Sequence, residues 1–177
     1  MKVIIASDIH GSNFYTKKFI KVIQNEKPDK IILLGDIYYH GPRNKQPKGY
    51  APMKVAENLN QFTEILSCVK GNCDAEVDQM ISSFKFEDSI SLNLLNKTFL
   101  FTHGHKLDFE KLPEEYDFIF GGHTHIHTIQ TFGNTTYINP GSLSIPKENT
   151  NHSYAIINNN TIEIKNLKNK LIKSIKF

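Results

Sequence analysis

The most restrictive feature of this sequence is that five short apolar runs, each long enough for one β-strand, are followed by Asp, Asn or His. In chain order the polar residues are Asp8 and His10, Asp36, Asn72, His103 with His105, and His123 with His125. In an α/β protein the carboxyl ends of parallel strands, and the loops that follow them, share one edge of a sheet where ligands bind. Such a fold would gather these polar side chains into one site.

The hydrophobic pattern predicts an α/β fold. Strand-like segments at 2–7 and 30–36 alternate with segments of helical spacing at 12–25 and 52–67, and the loop 37–50 is rich in glycine and proline. Further strand-like segments lie at 97–104, 116–122, 126–132, 135–138, 153–158, 161–166 and 170–177. Because helices cluster early and antiparallel strands late, we expect two packed sheets flanked by helices in a single domain over 1–177.

Composition excludes several classes of protein. With 177 residues, 39% hydrophobic and 22% charged, the chain resembles a globular domain and not a disordered or disulfide-stapled one. Its net charge of +3 comes without a block of Lys or Arg, which argues against a nucleic-acid partner. No apolar stretch approaches the roughly 18 residues of a membrane span, and the amino end lacks a signal-peptide pattern. With two cysteines, the expected location is the reducing cytoplasm.

The types of ligand indicate the class of metal. Mixed carboxylate, imidazole and amide ligands suit Mn, Fe, Zn, Co or Ni, and neither a thiolate zinc site nor an all-oxygen calcium site. So many ligand residues exceed what one tetrahedral ion with an open position requires. They suit two ions about 3.5–4 Å apart that share a carboxylate, an arrangement that enzymes use on phosphate esters.

The same residues carry a resemblance to the calcineurin-like metallophosphoesterases. The matching segments, in the family's order, are SDIHG (7–11), GD (35–36), GNCD (71–74), THGH (102–105) and GHTH (122–125). The chain is similar above all to the bacterial YfcE-type phosphodiesterases, through DIYYHGPRN (36–44), GYAPMKVAENLN (49–60), GNCDAEVDQM (71–80) and NPGSLSIPK (139–147). This resemblance covers nearly the whole chain. It implies a four-layer α/β/β/α sandwich and phosphoester hydrolysis at a two-metal site.

The resemblance also implies roles for individual residues. The first metal would be bound by Asp8, His10 and His125, the second by Asn72, His103 and His123, and Asp36 would bridge both. The expected catalytic residues are Asp36, Asn72, Cys73 and His103, while His105 would orient the site without binding metal. The favoured cofactor is a pair of Mn²⁺ ions, with Ni, Co, Zn or Fe as alternatives, and a bridging hydroxide would attack phosphorus.

Cys73 departs from the wider family, in which His commonly follows this Asn near the leaving oxygen. A thiol, with an ordinary pKa of about 8.5, is a poorer acid and a weaker hydrogen-bond donor than imidazole. The YfcE-type subgroup shares the cysteine, so Cys73 would suit substrates whose leaving group needs little protonation. The alternative interpretation is that Cys73 serves only as a small buried apolar residue. Cys68 is expected only to fill the core at the end of a helix.

The candidates for substrate binding are His40, Arg43, Asn44 and Cys73. Arg43 is the single arginine of the chain and lies in the loop after Asp36, where its guanidinium could engage a phosphate oxygen. The alternative is an exposed arginine without a role. Neither His127 nor His152 carries a signal for the site.

Three functions stay open. The first is metal-dependent hydrolysis of small phosphodiesters, and the second is a phosphomonoesterase or nucleotidase. The third is a non-catalytic scaffold resembling the retromer subunit that shares this fold. Such scaffolds tend to lose metal ligands, whereas all seven expected ligands are present here. We expect no membrane partner, and the sequence leaves homo-oligomerisation open.

Overall fold

The structure is a computed structural model that describes all 177 residues. Twelve strands, β1 to β12 in chain order, span Val3–Ala6, Lys30–Leu33, Leu66–Val69, Phe86–Glu87, Ile90–Leu94, Lys97–Phe101, Phe118–Phe120, Thr128–Phe132, Thr135–Asn139, Ser153–Asn158, Thr161–Asn166 and Leu171–Lys176. The helices are α1 at Asn13–Glu26 and α2 at Pro52–Asn60, with a short 3-10 helix at Glu76–Met80.

The first sheet has seven strands in the order β12-β11-β10-β1-β2-β3-β4. Strands β1 to β4 run parallel, and β10 to β12 continue the sheet in antiparallel pairing beyond β1. Every residue of β1 is buried, as expected of a central parallel strand covered on both faces. The parallel direction brings the carboxyl ends of β1, β2 and β3 to one edge.

The second sheet has five strands in the order β5-β6-β7-β9-β8, with β6, β7 and β9 parallel. Its carboxyl edge meets that of the first sheet, because His103 after β6 bonds the Leu34 carbonyl after β2 at 2.6 Å. A methyl group on Gly122, after β7, would collide with the Ser7 hydroxyl after β1. All five strand ends of the predicted site therefore share one rim.

Three apolar clusters hold the layers together. One joins α1 and α2 to the first sheet, and the second fills the space between the sheets, where the Phe99 and Phe118 rings stack 5.0 Å apart. The third covers the outer face of the second sheet with Leu107 and Leu112. The predicted layered sandwich is confirmed, with its fourth layer made by the turns of 104–115 and not by a regular helix.

One of the two helices, α2, differs from prediction at its carboxyl end. Ser12 caps α1 as expected and accepts the N–H of Tyr15 at 3.3 Å. The predicted helix over 52–67 is wrong beyond Asn60, because Leu66–Val69 forms strand β3 and pairs with β2. Cys68 therefore lies in a buried strand, not at the end of a helix.

The physical reason is competition between local and tertiary preferences. Val55, Leu59, Phe62 and Leu66 continue a helical spacing, yet the last of them gains more from pairing beside Ile31 in the parallel sheet. The longer helix has 14 residues, so no helix of the structure reaches the roughly 20 residues that crossing a membrane requires.

Candidate metal centre

The residues predicted to bind metal lie on the rim where the strands end. Asp8 and His10 follow β1, Asp36 follows β2, Asn72 follows β3, His103 follows β6, and His123 and His125 follow β7. Five of these seven adopt a left-handed backbone with φ between 49° and 66°, namely Asp8, His10, Asp36, His123 and His125. This conformation is uncommon outside glycine and clusters at functional sites. The unfavourable backbone is thus concentrated at the predicted ligands.

The first group of converging atoms belongs to Asp8, His10 and His125. Their Nε2 atoms lie 3.6 Å (His10) and 3.3 Å (His125) from Asp8 Oδ1. Both imidazoles donate their Nδ1–H to backbone carbonyls at 2.7 Å, of Tyr39 and Ile145. When the two imidazoles are neutral, their Nε2 atoms, 3.2 Å apart, therefore carry lone pairs, and Asp8 Oδ1 is buried without a hydrogen-bond partner. Mutually repelling acceptors at one point fit a bound cation.

The second group lies beside it. His103 donates Nδ1–H to the Leu34 carbonyl, so its Nε2 turns inward, 3.0 Å from Asn72 Oδ1 and 3.5 Å from Asp36 Oδ1. The His123 ring lies 5.3 Å from the His103 ring, centroid to centroid. Imidazole, amide and carboxylate acceptors again face one another, which fits a second cation.

Asp36 lies between the two groups. Its Oδ2 is 3.7 Å from His10 Nε2, and its Oδ1 is 3.5 Å from His103 Nε2. Oδ1 also accepts the backbone N–H of Cys73 at 2.8 Å, which fixes the rotation of the carboxylate. A carboxylate held in this way can offer one oxygen to each of two ions.

The electrostatics of the cluster favour positive charge. Burial acts against a charged imidazole, but the Asp36 and Asp8 carboxylates outweigh it and raise the pKa of His103 to about 9. Burial likewise opposes charge on Asp8, yet His10 and His125 hold the pKa of that carboxyl well below its usual range. The buried carboxylates thus attract protons to the imidazoles, for which a divalent cation would compete.

The predicted substrate residues lie along one side of this rim. A methyl group on Gly41 would approach the Cys73 sulfur to 3.3 Å, so the loop 40–44 passes beside that thiol. Asn44 donates its side-chain amide to the His40 carbonyl at 2.8 Å, and the His40 ring packs against two tyrosine rings. Arg43 is exposed and forms no ion pair or hydrogen bond within the protein. Its side chain is available to a ligand.

Two histidines near the site stand apart from the converging atoms. His105 is exposed, with its ring 5.3 Å from that of His103. His127 buries both ring nitrogens without a hydrogen-bond partner, and burial lowers its pKa. Neither belongs to a group of His, Cys, Asp or Glu ligand atoms that lie within 4.8 Å of one another, and the same is true of His123, which the resemblance assigns to the second set.

Sequence reasoning gives no role to Asp74, the last residue of the GNCD segment. Its buried carboxylate accepts three backbone N–H groups, from Asp36 at 2.7 Å, Ile37 at 2.7 Å and Gly71 at 2.8 Å. Burial raises the pKa of Asp74 to about 6, against the opposing effect of these donors. Asp74 ties the turn after β2 to the turn after β3 and thereby positions Asp36.

We expect Asp74→Ala to lower the free energy of unfolding by about 3 kcal/mol or more, because three buried N–H groups lose their acceptor. Urea unfolding followed by circular dichroism measures this loss. Asp88→Ala, at an exposed aspartate without a hydrogen bond, is the matched control and should stay within about 0.5 kcal/mol of the parent. A loss below about 1 kcal/mol for Asp74→Ala would contradict the bracing role.

The segment 140–147, which follows β9, also has no role predicted from the sequence. The hydroxyls of Ser142 and Ser144 both donate to the Asp8 carbonyl, at 2.8 Å and 3.0 Å. The neighbouring carbonyl of Ile145 receives the Nδ1–H of His125. The segment therefore fixes two of the predicted ligands from outside. Its sequence contributes to the resemblance, but no residue type in it indicates this function.

Comparison with known proteins identifies relatives of this chain. The family model for the calcineurin-like phosphoesterase superfamily domain matches residues 1–161. Phosphodiesterase YfcE of Escherichia coli K12 is 41% identical over 167 residues, covering 93% of this chain and 91% of that protein. The solved structure of YfcE, a phosphoesterase from E. coli, matches with a TM-score of 0.95 at 36% identity over 99% of both chains.

More distant structures share the fold alone. A Vps29 structure from Entamoeba histolytica matches with a TM-score of 0.68 at 16% identity, over 100% of this chain and 99% of that one. The family match over 161 residues and the 41% identity, together with the rim of converging ligands, decide the assignment. This chain belongs to the calcineurin-like phosphoesterase superfamily.

Proposed function

We propose that the protein is a metal-dependent phosphodiesterase that uses two divalent transition-metal ions to hydrolyse small phosphodiesters. The observation that carries this proposal is the Asp36 carboxylate, with Oδ2 3.7 Å from His10 Nε2 and Oδ1 3.5 Å from His103 Nε2. Membership of the family supports the reaction class, as does the 41% identity to a protein named a phosphodiesterase.

The residues divide into two ligand sets. One ion would be held by Asp8, His10 and His125, the other by Asn72, His103 and His123, and Asp36 would belong to both sets. When bound, the two ions would activate a water molecule for attack on phosphorus and would neutralise the phosphoryl oxygens. The Nδ1–H bonds from His10, His103 and His125 to backbone carbonyls orient the Nε2 atoms and raise their basicity. Manganese remains the favoured metal, with Ni, Co, Zn and Fe as alternatives.

The loop 40–44 is the proposed substrate side. Arg43 is free to donate two parallel N–H groups to non-bridging phosphate oxygens, and Asn44 and His40 line the same approach. Cys73 lies beside this loop, and burial together with the Asp36 charge raises the pKa of its thiol to about 12. Even at its ordinary pKa of about 8.5, a thiol is a poorer general acid at neutral pH than an imidazole. The enzyme therefore favours substrates whose leaving group needs little protonation.

Replacing the weak acid should change the preference for leaving groups. We expect Cys73→His to raise kcat/KM about two- to tenfold for a diester that releases an alkyl alcohol, and to change nitrophenyl diesters less. A well-placed acid contributes on the order of 10²–10⁴-fold, and imperfect placement delivers less. Cys73→Ala should be nearly silent on nitrophenyl esters. The measurement is kcat/KM for both ester types at constant metal content.

The outcomes of this comparison are distinct. Equal gains on both leaving groups would mean that the new imidazole holds phosphate and does not donate a proton. A large loss in Cys73→Ala, with folding and metal content intact, would mean that the thiol acts directly in the reaction.

The proposed function is tested by a screen of diesters and monoesters against Mn, Ni, Co, Zn and Mg. We expect metal-dependent release of nitrophenolate from bis(nitrophenyl) phosphate and loss of activity after chelation. Faster turnover of monoesters would favour the alternative of a phosphomonoesterase or nucleotidase. Bound metal without turnover of any ester would favour the scaffold, which the likeness of fold to Vps29 supports only weakly.

We also propose that residues 1–177 form one domain. The family model ends at residue 161, but β11 and β12 continue the first sheet beyond it. The expected cytoplasmic location and the small phosphodiester as partner are separate predictions, which cell fractionation and the ester screen would check. Light scattering would measure the oligomeric state, which the sequence leaves open.

A further inference from the structure

A cavity of about 550 Å³ takes no part in the proposed reaction. It lies between one face of α1 and two turns, 151–152 before β10 and 166–169 between β11 and β12. None of its lining residues is a predicted ligand or substrate contact. Its volume falls within the roughly 300–1,000 Å³ of small-molecule sites. The size suits a compact ligand.

The cavity carries uncompensated positive charge. Lys18 and Lys21 project from the same face of α1, three residues apart, and Lys168 projects from the opposite turn. None of the three forms an ion pair in the structure. The only carboxylate in the lining, Glu26, is engaged by Lys2 at 3.1 Å. The lining therefore attracts an anion.

The rest of the lining is polar and aromatic. The side-chain amides of Asn25 and Asn151 have no hydrogen-bond partner within the protein, so each can donate to and accept from a ligand. The rings of Tyr15 and His152 stack 4.0 Å apart with 22° between their planes. His152 donates Nδ1–H to the Leu143 carbonyl at 2.8 Å, which fixes this aromatic wall. Such groups recognise the uncharged body of a small molecule.

We propose that this cavity binds a small organic phosphate. Lys18, Lys21 and Lys168 bind the phosphate, and the amides and the aromatic wall hold the organic part. A nucleic-acid strand would instead require a track of phosphate contacts along the surface, which a single partly open cavity of this size does not supply. The proposal is independent of the reaction at the metal centre.

An NMR titration of the full chain tests this site, with adenosine 5′-monophosphate as the probe and adenosine and inorganic phosphate in parallel. We expect saturable shifts of backbone amides in α1 and in 166–169, with the nucleotide binding at least about tenfold more tightly than adenosine. Shifts confined to residues around the metal centre would overturn the proposal. Equal affinity for inorganic phosphate would overturn the recognition of an organic part.

Charge reversal tests the site with a matched control. The four lysines that are replaced are exposed, so their replacement leaves the core intact. Lys21→Glu/Lys168→Glu should weaken nucleotide binding at least about tenfold. Lys17→Glu/Lys170→Glu changes the net charge by the same amount, at positions of the same helix and turn that lie outside the cavity. It should weaken nucleotide binding less than about threefold. Equal losses in both variants, or tighter binding of a short oligonucleotide than of the mononucleotide, would overturn the assignment.

Discussion

Asp36→Ala should abolish phosphodiester hydrolysis and empty both metal positions at once. The two oxygens of Asp36 face different ligand sets, toward His10 on one side and His103 on the other. Removing a shared carboxylate should therefore weaken the binding of both ions, whereas removing any other proposed ligand leaves one set complete. We expect kcat/KM for bis(nitrophenyl) phosphate to fall by about 10³-fold or more. Elemental analysis should find metal content falling from about two ions per chain toward none.

Asp36→Asn separates the loss of charge from a loss of folding. The amide keeps the size of the side chain and an oxygen that can accept the Cys73 N–H, so the turn should hold its shape. We expect this variant to unfold at nearly the parent temperature and still to lose activity and metal. Retention of two ions per chain and most of the rate in either variant would exclude the bridging assignment.

The clustering of the proposed ligands could be predicted from the sequence because each part of the cluster is local. A short apolar run predicts a strand, and the residues that directly follow it, Asp8 and His10 or His123 and His125, are the polar residues at its end. Parallel pairing then brings the ends together without further information. The left-handed backbone at four of these residues was not predictable, since nothing in the residue types requires it.

The bracing contacts could not be predicted because their partners are distant and carry no chemical signature. Asp74 binds backbone N–H groups 38 and 37 residues away in the chain, of Asp36 and Ile37. A backbone N–H is present at almost every position, so no sequence pattern identifies the one that a carboxylate will meet. The contact of Tyr15 with His152, which forms a wall of the cavity, is equally non-local.

The fourth layer illustrates a conflict between an implied fold and local sequence. The resemblance implies helices outside the second sheet, and Leu107 and Leu112 do cover that face. Pro113 follows directly, and its ring and missing N–H oppose a continuous helix through this segment. Turns therefore position these apolar side chains over the sheet in place of a helix. The rim on which His103 lies does not depend on this layer being helical.

The proposed division of ligands between two ions leads to the second large expected effect. His125→Ala should empty the first metal position and leave the second, because His125 Nε2 lies 3.3 Å from Asp8 Oδ1. His123→Ala should do the reverse, since its ring lies beside that of His103. Each variant should lose activity by about 10²-fold or more, because attack and charge neutralisation require both ions. Anomalous scattering from manganese-soaked crystals measures the occupancy of each position.

His105→Ala is the matched control for these two variants. Its ring lies 5.3 Å from His103 and 6.1 Å from His123, so the substitution removes an imidazole at a similar distance without removing a proposed ligand. We expect both positions to stay occupied in this variant. Loss of an ion on His105→Ala would make His105 a ligand. Loss of the opposite ion in His125→Ala or His123→Ala would mean that the two sets are exchanged, while the bridging position of Asp36 between them would stand.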